Sequence, residues 1–500
     1  MLVKVVCALF FGCLIVTAAL TPAVMRLARK IDAVDRGGYR KIFQGTIPLL
    51  GGLGIAGPLI MLSVAAGTAG YVIIGNWEWV WIHHRDSFDL LFSLAASRNE
   101  YMILAIGGIA IVVLGLIDDT KGLRAKWKLL GQAVIALFVC LSGHRLTTVA
   151  VPLVGDVSLG VGLGGFLTML WLVGLINAFN LIDGVDGLTS GIALIGAGTL
   201  VTLSIIQQNA YVTFAGAALT GSLFAFLLYN FPPAKIFLGD TGSMFLGYVL
   251  ATLSLKGAQK SEAAVIVFAP MLALGLPIFE TLVSVLRRYV RGVPIFVGDN
   301  LHTHHRLLSK GYSQPRVVLT LCGIALFLAA AAIMSAVIPE NSKWAWCPYV
   351  LYVGTLVNTA WLAGYLRPMA FKRTLARRQR NRILQALARY ATLRLNAGRS
   401  VETNLLLELC RQELGLRRIE IHMMSGVRWV VPTDGKEYDG SEASREKLRV
   451  KSSDGQDIMI WYEFENTPED GMREDISSCL AGIFDQMRIE QAVNSSEDIC

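Results

Sequence analysis

Long apolar runs, separated by short polar segments, extend through the first three quarters of the chain. Each run comes close to the roughly 20 residues that an α-helix needs to cross a bilayer. We place them at residues 2–25, 48–74, 100–117, 128–142, 159–176, 187–206, 211–229, 237–256, 262–286, 316–338 and 346–366. The pattern predicts an all-α polytopic membrane protein with about 11 transmembrane helices, whose membrane domain comprises residues 1–366.

The composition is that of a membrane protein and excludes a soluble enzyme. Of the 500 residues, 54% are hydrophobic and only 16% are charged, and the mean hydropathy is +0.53. The 8 cysteines form no C-x-x-C pair, so neither a zinc site nor a disulfide framework is indicated. The net charge of +8 is modest for this length, and no nucleic-acid partner is predicted.

Basic residues concentrate in the segments after the first, third, ninth and last apolar runs. Because Lys and Arg are enriched in cytoplasmic loops, these segments are predicted to face the cytoplasm. Every polar cluster that suggests chemistry then lies on the cytoplasmic side, at helix ends. A transporter more often places its ionisable residues at the bilayer midplane. The pattern therefore favours a catalytic face that opens to the cytosol and that a lipid can reach from the side.

The segment Asn177–Leu188, NAFNLIDGVDGL, ends an apolar run with two amides and two carboxylates. Charge is costly at this place unless it faces a wet site that holds a cation. A single Asp-Gly pair would indicate only a turn. Two such pairs, at Asp183 and Asp186, in register behind Asn177 and Asn180, favour a binding site.

Two further acidic motifs lie at predicted helix ends. Asp118 and Asp119 repel each other, so both ionise readily only beside a cation or a basic partner, and Lys126 and Lys128 follow closely. The alternative for the lysines is an ordinary solvated loop. Asp240, in the sequence GDTGS, offers hard oxygen ligands suited to Mg²⁺. Its alternative role is to cap the next helix, which is compatible because a helix N-terminus also favours phosphate.

A basic loop after the ninth run contains the cluster His302, His304, His305 and Arg306. Such a cluster suits an anionic diphosphate. A histidine metal site is the competing interpretation, and it ranks second because the other candidate ligands are hard carboxylates. Acids for a divalent ion, bases for phosphate and a membrane location together favour phosphoryl transfer.

Four stretches taken together resemble the polyprenyl-phosphate N-acetylhexosamine-1-phosphate transferases, glycosyltransferase family 4. They are Asp32–Ile55, Leu116–Asp119, Asn177–Leu188 and Phe237–Ser243. The His-x-His-His-Arg sequence resembles the branch that transfers N-acetylglucosamine-1-phosphate. It is less similar to the branch that transfers phospho-N-acetylmuramoyl-pentapeptide. The resemblance extends over residues 1–366.

The resemblance implies a role for each matching residue. Asp118 would be the base that deprotonates the lipid phosphate, with Asp119 beside it. Asp240 and Asn180 would hold Mg²⁺, with Mn²⁺ as an alternative ion. Substrate contacts would come from Lys126, Lys128, Asp183, Asp186, Phe237, His302, His304, His305 and Arg306. Within that set, Phe237 would stack on uracil and Asp186 would contact the nucleoside.

Two positions depart from the family pattern. Gly122 stands where the acidic cluster often continues with another polar residue, and Phe43 stands where a histidine commonly follows the pair Arg40-Lys41. No role is assigned to either position, and the reaction class is unaffected.

The implied reaction transfers N-acetylglucosamine-1-phosphate from UDP-N-acetylglucosamine to undecaprenyl phosphate and releases UMP, as the first membrane step of cell-envelope polysaccharide synthesis. The expected location is the bacterial inner (plasma) membrane, with the active site and the C-terminal domain in the cytoplasm. In-line displacement is preferred to a covalent aspartyl intermediate at Asp118 or Asp119. Another UDP-N-acetylhexosamine as donor, or a carrier of a lipid-linked or nucleotide substrate, is the alternative. A homodimer is compatible with the sequence.

The composition changes after the last run. Residues 367–400 are predicted to form a basic linker helix that lies on anionic headgroups. Residues 401–500 are predicted to form a small soluble α/β accessory domain in the cytosol. Its helices are expected at 401–414 and 470–491 and its strands at 418–424, 428–432, 448–452 and 457–464. It faintly resembles a GAF sensory module, and a stabilising or assembly role without a ligand is preferred.

Overall fold

The computed structural model describes residues 2–36, 46–83, 88–151, 155–259, 269, 272–291, 302–339, 342–365, 416–423, 428–431, 445–451 and 457–464. The chain divides into two compact units. The first comprises Met1–Thr281 and Thr303–Tyr365, and the second comprises Leu282–His302 and Leu366–Cys500.

The described helices account for most of the chain before residue 366. In chain order they are α1 Leu2–Lys30, α2 Gly51–Gly75, α3 Trp77–His83, α4 Phe88–Ala96, α5 Arg98–Lys121, α6 Ala125–Leu141, α7 Val161–Ile182, α8 Leu188–Ile206, α9 Ala210–Asn230, α10 Gly239–Gln259, α11 Gly275–Arg291, α12 Thr303–Ser309, α13 Gln314–Val337 and α14 Cys347–Ala363. Two short antiparallel hairpins lie between them, β1 Val34–Arg36 with β2 Thr46–Pro48, and β3 Thr148–Val151 with β4 Gly155–Ser158.

Seven of the described helices are long and apolar enough to cross a membrane, namely α1, α2, α5, α7, α8, α9 and α13. The protein is therefore a polytopic, mostly helical membrane protein, as predicted. The other predicted spans overlap α6, α10, α11 and α14. Of these, α6, α11 and α14 have only 17 residues each, and part of the 262–286 span lies outside the described residues. The total of about 11 spans stays a prediction.

Several helices extend beyond the spans predicted for them. α5 continues to Lys121 instead of ending at 117, α7 continues to Ile182 instead of 176, and α6 begins at Ala125 instead of 128. The polar residues that suggested loops therefore lie in terminal helical turns. Asp118, Asp119 and Asn180 are tolerated there because their side chains bond to polar groups of other helices.

Helix α10 lies at the centre of the first unit and packs against α2, α5, α7, α8 and α9. Every residue from Met244 to Leu255 is buried, as expected for a helix surrounded by other helices. Its N-terminus approaches α5 closely, because a side chain at Gly115 would overlap the backbone of Thr241. Small residues at such crossings let membrane helices come together. The central helix thus brings Asp240 to the end of α5 that carries Asp118.

The described part of the second unit after residue 366 is a four-stranded antiparallel sheet. Its strands are β5 Leu416–Met423, β6 Arg428–Val431, β7 Arg445–Lys451 and β8 Asp457–Phe464, in the order β6-β5-β8-β7. The predicted strands overlap these four, and β7 pairs antiparallel with β8. The linker at 367–400 and the helices at 401–414 and 470–491 lie outside the described residues.

The contact between α1 and α9 gives a direct test of the packing. A side chain at Gly221 on α9 would overlap the carbonyl of Phe10 on α1, whereas nothing lies within 4 Å of a side chain at Gly12. We expect Gly221→Ala to destabilise the protein by roughly 1–3 kcal/mol through overpacking. Gly12→Ala should be neutral or stabilising, because alanine is the better helix former. Thermal unfolding of both variants in detergent measures the difference, and equal melting temperatures would contradict this packing.

Candidate active site

Four helix ends meet at one end of the first unit and converge on the ammonium of Lys128 on α6. Its Nζ lies 2.7 Å from Asp118 Oδ2 on α5 and 2.9 Å from Asp240 Oδ2 on α10. It also donates to Asn180 Oδ1 on α7 at 3.1 Å. An ammonium has three N–H donors, so all three are used. The structure thus brings together four residues that the sequence predicted from three separate motifs.

Asp119, the neighbour of Asp118, has different partners. Its Oδ1 accepts a hydrogen bond from Asp240 N at 2.8 Å, and its Oδ2 accepts from Thr241 N at 3.0 Å and from Thr241 Oγ1 at 2.6 Å. The two backbone donors, Asp240 N and Thr241 N, are among the N–H groups at the start of α10 that have no partner within the helix. Asp119 therefore caps α10 from another helix and fixes the backbone that carries Asp240.

A second layer of amides supports this cluster. Asn180 Nδ2 donates to Asp240 Oδ1 and, at 3.0 Å, to Ser243 Oγ. One turn away along α7, Asn177 Nδ2 donates to Gln132 Oε1 at 2.6 Å, and Gln132 is fully buried on α6. Sequence reasoning missed Gln132. The available signal was its position four residues after Lys128, on the same face of α6.

Backbone pairing holds the Phe237 segment against the start of α2. Phe237 N donates to Pro48 O at 2.9 Å, and Gly51 N donates to Phe237 O at 3.0 Å. A side chain at Gly51 would overlap Phe237 O, and one at Gly52 would overlap Gly242 in the first turn of α10. Gly51 and Gly52 are therefore required for close backbone approach, and they place Phe237 next to the cluster that contains Asp240.

A buried asparagine that the sequence analysis did not single out joins the two loops of the site. Asn230 Oδ1 accepts from Gly187 N at 3.0 Å and from Ser190 Oγ at 2.7 Å, while its Nδ2 donates to Ile236 O at 2.9 Å. In the same region, Asp186 Oδ2 accepts from Ala234 N at 3.2 Å. The loop that carries Asp186 and the loop that leads to Phe237 are thus fixed to each other.

The basic cluster is only partly assembled at this place. The acidic loop is the segment between α7 and α8 that carries Asp183 and Asp186. His304, in α12, is buried against this loop, because a side chain at Gly184 would lie 2.5 Å from His304 Nε2. The His305 ring lies 4.3 Å from that of His304. Arg306 donates to Ala363 O at the end of α14 at 3.3 Å. His302 is buried but belongs to the second unit.

Lys126 is not directed to the same point as Lys128. It is exposed in the first turn of α6, and residues two apart on a helix do not face each other. The structure therefore separates the two lysines, and Lys128 alone of the pair joins the acidic cluster.

The residues present fit the divalent ion expected at Asp240 and Asn180. The position of Lys128 Nζ shows that Asp118, Asp240 and Asn180 can direct hard oxygen atoms to one cation. Among the described residues, no three Asp, Glu, His or Cys side chains form a metal site by themselves. A Mg²⁺ ion typically takes one or two carboxylates and completes its shell with water and substrate phosphate. This oxygen set suits such an ion.

Comparison with known proteins identifies the family. Residues 101–258 match the family described as glycosyl transferase family 4. A Bacillus subtilis protein named probable undecaprenyl-phosphate N-acetylglucosaminyl 1-phosphate transferase is 34% identical over 326 residues, which cover 65% of this chain and 83% of that protein. The chain belongs to glycosyl transferase family 4. The resemblance seen in the four sequence stretches is confirmed.

Two further relatives show the range of the family. A Mycobacterium tuberculosis protein named decaprenyl-phosphate N-acetylglucosaminephosphotransferase is 32% identical over 348 residues, or 64% of this chain and 80% of that protein. An Anoxybacillus flavithermus protein named phospho-N-acetylmuramoyl-pentapeptide-transferase is 31% identical over 337 residues, or 64% of this chain and 94% of that protein. Relatives named for the transfer of different groups thus match a similar share of this chain at similar identity.

The loop between α7 and α8 predicts a specific pH dependence of stability. Burial, together with the charges of Asp240, Asp119 and Asp186, raises the pKa of Asp183 to about 8. The folded protein then holds a proton that the unfolded chain loses near pH 4, so stability should fall as the pH rises from about 4 to 8. Asp183→Asn cannot titrate. We expect it to flatten this slope and to raise the melting temperature at pH 8.5 more than at pH 5.5.

Thermal unfolding of the substrate-free protein at the two pH values measures this effect. Asp89→Asn, which removes an exposed acid on α4, is the matched control and should leave the slope unchanged. A parallel shift of both curves in Asp183→Asn would contradict a protonated Asp183.

Proposed function

We propose that the protein transfers N-acetylglucosamine-1-phosphate from UDP-N-acetylglucosamine to undecaprenyl phosphate and releases UMP. The observation that carries this proposal is the cluster in which Lys128 joins Asp118, Asp240 and Asn180. It combines hard oxygen ligands with a cation at the end of a membrane-spanning bundle. Phosphoryl transfer needs charge neutralisation and positioning of this kind. The names of the Bacillus subtilis and Mycobacterium tuberculosis relatives supply the substrate class.

In the proposed reaction an oxygen of the lipid phosphate attacks the phosphorus that bears the sugar. A new P–O bond forms as the bond from that phosphorus to the bridging oxygen of UDP breaks, and UMP leaves with the electron pair. Asp118 takes the proton of the lipid phosphate, so that the attacking oxygen is anionic. The Asp118 side chain is only 7% exposed, which keeps water from competing for this position.

The other residues act by positioning and charge. Lys128 offsets the negative charge that gathers on the phosphates. Phe237 stacks on uracil, and Asp186 contacts the nucleoside from the loop fixed by Asn230. Asp119 is a positioning residue in this proposal, because its two oxygens already bind the start of α10. That arrangement makes Asp119 a poor nucleophile, and we propose direct in-line displacement instead of a covalent aspartyl intermediate.

We further propose that Asp240 and Asn180 hold Mg²⁺, or Mn²⁺ in its place. When bound, the ion neutralises charge on the diphosphate. The side chain of Asp240 is 34% exposed, more than those of Lys128 and Asp118, so it is the carboxylate that a ligand reaches first. We propose about 11 spans for the bundle. Its catalytic end and the tail lie in the cytoplasm of a bacterium in this proposal, as the distribution of basic residues indicates.

UMP release tests the reaction. Purified full-length protein in detergent, with undecaprenyl phosphate and Mg²⁺, should release UMP from UDP-N-acetylglucosamine and not from UDP-N-acetylmuramoyl-pentapeptide. Asp118→Asn should lower the rate by about 10²-fold or more, since it removes a general base. Asp89→Asn is the control. Lipid-independent UMP release, or none from any UDP-N-acetylhexosamine by a folded sample, would count against the proposal and favour a carrier.

Metal binding tests the ion site independently of turnover. We expect Mn²⁺, followed by electron paramagnetic resonance both without nucleotide and in the presence of UDP, to bind at least about tenfold more weakly to Asp240→Ala than to the unchanged protein. Asp186→Asn should retain the Mn²⁺ affinity measured without nucleotide, because its carboxylate lies outside the cluster. Chelation by EDTA should stop UMP release reversibly. Equal Mn²⁺ affinities for Asp240→Ala and the unchanged protein would place the ion elsewhere.

A further inference from the structure

The short helix α12, which carries His304 and His305, owes its position to its neighbours. It has only 7 residues, and isolated helices of this length are not stable in water. Its inner side is buried, with His304 packed against Gly184 of the acidic loop and Leu307 fully enclosed. The location of the two histidines is therefore set by whatever holds the ends and the outer side of α12.

The N-terminal end of α12 is held by a carboxylate from α11. Glu280, which is only 4% exposed, accepts a hydrogen bond from Thr303 N at 3.2 Å. A buried carboxylate is costly unless it is hydrogen-bonded, and an anion is favoured at a helix N-terminus. Glu280 thus acts as a cap supplied by another helix, in the same manner as Asp119 on α10.

The outer side of α12 is held by the end of α14. Arg306 donates to Ala363 O at 3.3 Å and lies over the ring of Tyr365, 4.5 Å from its centroid. Lys310 donates to Leu362 O, and the Tyr365 hydroxyl lies 3.2 Å from Thr303 Oγ1. Two cations thus bind the last carbonyls of α14, which lack partners within their helix and carry its negative dipole end.

We infer that Arg306 is a positioning residue that clamps α12 to the end of α14 through Tyr365, and that it is not a ligand of the substrate phosphate. The effect of this contact on catalysis rests on the proposed function. It changes the role expected for Arg306 from the sequence, because the guanidinium is engaged with a carbonyl and an aromatic face. By fixing α12, this contact keeps His304 packed against the acidic loop. It thereby positions both histidines to bind the diphosphate of the donor.

A double-mutant cycle separates the two roles. If Arg306 acts through Tyr365, then Arg306→Ala, Tyr365→Ala and the double variant should raise the KM for UDP-N-acetylglucosamine by the same factor, about three- to tenfold, with kcat within about twofold. Tyr365→Phe keeps the ring and should recover most of the affinity. Arg316→Ala breaks a similar cation–ring pair with Tyr312, at 4.4 Å, and is the matched control.

Hydrogen–deuterium exchange of residues 303–309 in the full-length protein gives a second readout that does not require turnover. Both single variants should lose protection of α12 to the same extent, and Arg316→Ala should not. Additive KM effects, with α12 still protected in Arg306→Ala, would make Arg306 a direct phosphate ligand and overturn the inference. If the wild-type protein releases no UMP, that result contradicts the proposed function but not the role of Arg306. The exchange data test that role without turnover.

Discussion

The charge balance around the ammonium of Lys128 is the constraint on which the catalytic end depends. The C-terminal ends of α5 and α7 carry negative dipole character, and α5 adds a carboxylate from Asp118. The N-termini of α6 and α10 bring positive dipole character and the carboxylate of Asp240. Without a cation between them, the two carboxylates would repel and the helix ends would separate. Lys128 bonds to both and to Asn180, so one side chain ties three other helices to α6.

This electrostatic junction works only because the backbones come close enough. The first turn of α10 lies against Gly115 of α5 and Gly52 of α2, where any side chain would overlap its backbone. The same approach lets Asp119 reach the free N–H groups of α10. Packing in the membrane has little hydrophobic driving force between helices, so close contact and polar bonds supply the specificity. Small residues therefore allow the helix backbones to approach, and buried polar groups then bond across the contact, so both are needed at this end of the bundle.

The sequence could predict which motifs meet, but not what each side chain does there. Polar residues in an apolar background are informative, because burying them without partners is costly, and Asp118, Asn180 and Asp240 were found in this way. Asp119 carries the same signal as Asp118, yet it serves as a cap. The distinction depends on the direction each carboxylate takes from α5, about 100° apart around the helix. Only the position of α10 shows which of the two carboxylates points to its N-terminal N–H groups.

The residues that sequence reasoning missed have a common physical reason. Gln132, Asn230 and Glu280 are buried single polar residues whose partners are distant in the chain, and Asn230 serves backbone groups on two different loops. For Asn230 and Glu280, nothing in their immediate neighbours distinguishes a supporting role from an isolated polar residue in a span, and for Gln132 the one signal is its position one helical turn after Lys128. Three helices extend beyond their predicted spans for a related reason. A polar residue suggests a loop when considered locally, whereas a bond across the bundle allows it to remain helical.

The charges of the site also explain why it needs more positive charge than Lys128 supplies. Asp118 and Asp240 together exceed the single positive charge of Lys128, so the substrate-free cluster is already negative. A nucleotide diphosphate and a lipid phosphate would add further negative charge, which phosphoryl transfer must neutralise. With Arg306 engaged at the end of α14, its guanidinium does not fill that deficit. The requirement then falls on a divalent ion at Asp240 and on His304 and His305, and this makes the exact placement of α12 a condition for binding the donor.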